Sequence, residues 1–76
     1  MNDYFSAEVR RVLKETRKKA GLSQEALGKK VNLRQARISH WERGKAGLTL
    51  KRFGALLAAM GYRAVITIES MEERKP

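Results

Sequence analysis

The 76-residue chain has no cysteine, one proline and one histidine. No disulfide can form, and a lone histidine cannot build a metal cage, so no metal is expected. Chains this short bury only a small core and commonly need a staple or a partner subunit. With the staples excluded, association with another chain is the remaining route. No apolar run is long enough to span a bilayer, and no charged-then-apolar leader opens the chain. The expectation is a cytoplasmic protein without a membrane partner. Enzyme signatures are also missing. There is no glycine-rich phosphate loop, no Cys–His pair and no pair of carboxylates beside an apolar pocket, so neither catalysis nor a cofactor is expected.

Acidic residues are scarce as well: 8 Asp and Glu stand against 17 Lys and Arg, a net charge of +9. The surplus is uneven. Residues 69–76 hold Glu69, Glu72 and Glu73 against Arg74 and Lys75, so the preceding 68 residues carry +10. A domain this basic attracts polyanions. Nucleic acid is favoured, with an anionic membrane surface or an acidic protein as the alternatives.

What is present is helical periodicity with clear punctuation. A first helix is predicted from Ser6, as N-cap, to Ala20, with Val9, Leu13, Thr16 and Ala20 on one stripe and Gly21 as its stop. A second runs from Gln24 to Val31, capped by Ser23. A third runs from Gln35 to Arg43 and ends at Gly44. A fourth runs from Leu50 to Met60, capped by Thr49 and stopped by Gly61, with Leu50, Phe53, Leu56, Leu57 and Met60 on its apolar side. After Gly61 the period changes to two. Tyr62, Ala64, Ile66 and Ile68 alternate with Arg63, Val65, Thr67 and Glu69, which is a strand pattern. No other segment offers this strand a partner. The organisation is therefore a domain over 1–61, a dimerisation strand over 62–69 and a flexible tail over 70–76.

Gly21 to Lys45 carries the strongest signal. Leu27, Val31, Leu33, Ile38 and Trp41 are the apolar positions of two short helices joined by a tight turn. Gly28 is small where the helices must approach. Asn32 occupies the turn, and asparagine tolerates a left-handed backbone well. The remaining face holds Gln35, Arg37, Ser39, His40 and Arg43. A helix that is apolar behind and rich in Arg and Gln in front suits a DNA major groove. The bland alternative is a helical hairpin with solvated charges. Trp41 reads as core, since its spacing from Leu33 and Ile38 points inward. Lys51 and Arg52 fit a phosphate or plain solvent equally.

These residues resemble the Cro/repressor-type helix-turn-helix proteins (XRE, lambda-repressor-like). The likeness covers Val9 to Gly61. It rests on Arg17, Gly21-Leu22-Ser23-Gln24, Leu27, Val31-Asn32-Leu33, Gln35, Ile38-Ser39, Glu42 and Gly44. Asn32 departs from the usual turn glycine, and Arg34 from the usual small hydroxyl cap. A strand follows where the family often has a fifth helix. That combination is similar to the antitoxins of HipA-type kinase toxins.

The resemblance implies an all-α four-helix DNA-binding domain with one C-terminal β-strand pairing across a dimer. It implies base contacts from Gln35, Ala36, Arg37, Ser39 and His40, with Arg37 taking either guanine or phosphate. Gln24, Arg34, Arg43 and Lys45 would contact phosphates. Arg17 and Glu42 would form a partly buried ion pair, and Ala64, Val65, Ile66 and Ile68 the dimer interface. The implied partners are a double-stranded operator, a second copy and a HipA-like kinase toxin. The implied function is a repressor acting as a homodimer on a palindromic operator, as the antitoxin of its operon. The rival reading is a protein-interaction subunit that restrains a toxin kinase, with DNA binding secondary.

Overall fold

A computed structural model describes residues 4–72 of the chain. Four helices follow in order: α1 (Tyr4–Lys19), α2 (Gln24–Val31), α3 (Gln35–Glu42) and α4 (Leu50–Ala59). The boundaries follow local chemistry. The Ser23 hydroxyl accepts from the Ala26 N–H, and the Thr49 hydroxyl accepts from the Arg52 N–H, so both N-termini are capped by side chains. α1 starts earlier than predicted. Ser6 lies inside it rather than capping it, because no glycine or proline interrupts the residues before it.

All four helices end the same way. The residue after the last turn is left-handed: Gly21, Asn32, Gly44 and Gly61, with φ between 60° and 87°. In each case the next amide reaches back five residues. Leu22 donates to the Arg17 carbonyl, Leu33 to Gly28, Lys45 to His40 and Tyr62 to Leu57. These bonds satisfy carbonyls that the helix ends would otherwise orphan.

The core contains Leu13, Leu27, Ile38, Trp41, Phe53, Leu56 and Leu57, one or more from every helix. Leu13, Leu27, Ile38 and Leu56 are fully buried. Each contributes about 1.5–3 kcal/mol relative to exposure. Val9, Val12, Leu22, Val31, Leu33, Leu48 and Met60 close its margins. α2 packs chiefly on α3, with α4 beneath α2, and α1 lies against α3 and α4. Leu50 is an exception to the predicted α4 stripe. It sits on the first turn, beyond the reach of the core, and is 55% exposed beside the equally exposed Phe5.

Residues 62–72 form neither helix nor ladder, and every one is exposed. Among the described residues there is no strand. A strand exists only through bonds to a neighbour, and one copy of the chain supplies none. No described helix is long and apolar enough to cross a membrane.

Candidate nucleic-acid interface

Helix α3 begins without a side-chain cap. Arg34 holds the extended N-cap backbone (φ −77°, ψ 152°), but its side chain makes no capping bond. The Arg37 amide closes on the Arg34 carbonyl at 3.0 Å. The guanidinium of Arg34 is thus left at the surface, next to Gln35. The approach of α2 to this turn requires glycine. A Cβ on Gly28 would lie 2.5 Å from the Leu33 carbonyl oxygen, closer than real Cβ atoms come. With hydrogen there, the Leu33 amide bonds the Gly28 carbonyl at 2.8 Å and fixes the entry to α3.

The outward face of α3 and its flanks presents Arg34, Gln35, Ala36, Arg37, His40, Arg43 and Lys45, all exposed, with Ser39 half-buried. One carboxylate belongs to this helix, Glu42, and it is turned away from that face. Arg17 Nε donates to Glu42 Oε2 at 2.7 Å and a terminal nitrogen donates to Oε1 at 3.1 Å. The other Arg17 terminal nitrogen donates to the Leu22 carbonyl at 2.9 Å. The Glu42 side chain is 2% exposed and that of Arg17 10%. This two-pronged grip locks the last turn of α3 onto the end of α1. It also hides the negative charge from a surface otherwise lined with cations.

The bond chain continues outward. Gln24 Nε2 donates to Glu42 Oε1 at 3.1 Å, and Gln35 Nε2 donates to Gln24 Oε1 at 3.0 Å. An ionised carboxylate only accepts, so Glu42 dictates the orientation of both amides. Gln24 must offer it nitrogen, which turns the Gln24 oxygen toward Gln35. Gln35 must then offer nitrogen in return. One Gln35 N–H remains free, with its whole carbonyl oxygen, on an exposed side chain at the tip of α3. Gln24, at the start of α2, has one spare N–H.

Trp41 anchors the last turn of α3 to the core. It is buried, and its indole N–H donates to the Gly47 carbonyl at 3.0 Å, which ties down the loop after the helix. Arg37, one turn earlier, and Arg52, on the first turn of α4, both lie over its ring, at 5.3 and 5.8 Å from the centroid. No buried side-chain polar atom lacks a partner among the described residues. The described residues also contain no cluster of His, Cys, Asp or Glu suited to a metal.

Sequence reasoning missed two of these links. Gln24 and Gln35 are eleven residues apart, and no spacing rule joins them. Arg52 read equally well as solvated, although Arg37 and Trp41 share a face at i and i+4, a signal available in the sequence.

The family model described as helix-turn-helix matches residues 13–65, well over half of the chain. The chain belongs to the helix-turn-helix family. This family is one of DNA-binding regulators, and the α2–α3 unit just described is its namesake motif. No curated protein and no solved structure matches this helix-turn-helix chain.

Proposed function

We propose that this helix-turn-helix protein is a sequence-specific repressor that binds a palindromic operator as a homodimer. Gln35 carries the reading. Its free N–H and carbonyl oxygen form the donor–acceptor pair that adenine N7 and N6 require. Holding its amide on Gln24 in advance lowers the ordering cost of that contact. Ala36 is suited to a thymine methyl, and Ser39 and His40 to neighbouring base edges. Arg34, Arg43 and Lys45 flank the inserted part and suit phosphates, as does the spare N–H of Gln24. Two copies related by a two-fold axis would set their α3 helices about 34 Å apart, one turn of B-DNA.

The dimer seam is assigned to residues 62–69. Val65, Ile66 and Ile68 are 81%, 59% and 92% exposed, an apolar row that a monomer leaves in water. An antiparallel pairing with a second copy would satisfy the backbone and cover Ala64, Ile66 and Ile68, or the Val65 face in the opposite register. The same exposed row favours a second reading, in which this segment also binds a partner toxin kinase and the operator precedes their shared operon.

The test is binding to a duplex selected from a random library. Gln35→Ala should cost about 1–3 kcal/mol of specific binding and relax the preference at one base pair. Lys45→Ala should weaken all sequences alike and make the salt slope shallower by about 0.9. An unchanged preference in Gln35→Ala would remove α3 from the role of reader.

A further inference from the structure

Arg37 and Arg52 come from different helices and meet on one indole. Arg37 lies over the ring of Trp41, the residue one turn further along α3. Arg52 reaches the same ring from α4. Both residues are exposed, and among the described residues neither has a carboxylate partner. The nearest acid on α3, Glu42, is taken by Arg17. A guanidinium over an aromatic face keeps its N–H groups free at the edge, where they can still donate. Two guanidiniums held within 6 Å of one ring centroid, with no carboxylate to neutralise them, favour an anion that both can reach.

We propose that Arg37 and Arg52, seated together on Trp41, form a clamp for one phosphodiester of double-stranded DNA. The inference rests on the DNA-binding reading and sharpens it. It assigns Arg37 to phosphate rather than to guanine, and it extends the DNA-contacting surface to the first turn of α4. Trp41 is then both core residue and platform. Its edge is fixed by the bond to Gly47, so the two side chains it carries are fixed relative to α3. A phosphate held here would set how deeply α3 enters the groove without reporting any base.

Trp41 is the sole tryptophan, so its emission reports directly on the clamp. The experiment titrates wild type, Arg37→Ala, Arg52→Ala and Arg52→Lys with the selected duplex and with a scrambled one, across about 50–200 mM salt. Circular dichroism verifies that each variant is folded. Wild type should change its Trp41 emission on binding either duplex. Because the two guanidiniums hold that one phosphate only as a pair, either alanine variant should lose the contact and lower the salt slope by about 0.9, so that wild type loses about threefold more affinity than the variant over that range. The loss should be equal for both duplexes, and Arg52→Lys should keep the wild-type slope. A wild-type slope in Arg52→Ala overturns the clamp. So does an Arg37→Ala variant that relaxes the preference at one base pair, since that would mark a guanine reader. Inorganic phosphate that shifts Trp41 emission as far as the duplex does would reassign the site to a free anion. Equal affinity of wild type for both duplexes would instead overturn sequence-specific reading and leave the clamp standing. Failure to bind either duplex would overturn both.

Discussion

Residues 24–42 and residues 62–72 both carry apolar side chains, yet these fare oppositely. In the first region Leu27 and Ile38 are fully buried, and Glu42 and Gln24 are tied by hydrogen bonds. In the second every residue is exposed, including Val65, Ile66, Ile68 and Met71. Hydrophobicity does not separate them. A helix satisfies its backbone from its own residues and needs a neighbour only for one face. A strand needs a neighbour for its backbone as well. The helix-turn-helix is therefore complete in one chain, whereas the segment after Gly61 forms no helix or ladder in one copy.

The largest effect should follow from breaking the complete half at its ion pair. Glu42→Ala strands a guanidinium that is 10% exposed and releases Gln24 at the same time. A cost of about 3–5 kcal/mol is expected in urea denaturation, with a smaller cost for the Arg17, Glu42 double replacement. A double-mutant cycle measures the coupling. A coupling of zero would mean that the pair adds nothing to stability beyond what each residue contributes alone.

Two glycines sharpen the comparison between packing and propensity. Gly28→Ala should destabilise by about 1–3 kcal/mol, since its Cβ meets the Leu33 carbonyl oxygen at 2.5 Å. Gly54 lies within α4 with nothing within 4 Å of a Cβ. Gly54→Ala should therefore stabilise by about 0.4–1 kcal/mol. Thermal melts of the two variants should move in opposite directions. A rise in both would mean that the turn between α2 and α3 yields to a methyl group.

The smallest effect on the fold should come from removing the incomplete half. A chain ending at Tyr62, which keeps the amide that closes α4, should hold its protomer stability within about 0.5 kcal/mol, because the described residues it loses are all exposed. Its association should change more. Sedimentation at micromolar concentration should show a monomer, or a much weaker dimer, with poor affinity for a full operator. A truncated chain that stays dimeric and binds the operator as before would move the seam elsewhere. Helix α4, with exposed Leu50 beside Phe5, would be the next place to look.

Much of the α2–α3 unit could be read before any coordinate. Ser23, Asn32, Thr49 and the glycines after α1, α3 and α4 punctuate the helices where local backbone chemistry requires it. Leu13, Leu27, Ile38, Trp41 and Leu56 repeat at helical spacing and are buried accordingly. These features depend on neighbours within one or two turns, and such neighbours are explicit in a sequence. The family match adds the DNA-binding class, and it too rests on residues along the chain.

Contacts between distant segments were settled only by the packed chain. Spacing alone does not tell that Gln35 leans on Gln24, or that Arg52 shares Trp41 with Arg37. Nor does it tell that Leu50 misses the core while Phe53 enters it. Each depends on where two helices end relative to one another, to within an ångström or two. The period-2 pattern after Gly61 marks the other limit. Alternation identifies which residues could share a face of a strand, but a face becomes a structure only when a partner supplies the hydrogen bonds. For residues 4–61 the chain supplies its own partners. For residues 62–72 it carries the pattern alone.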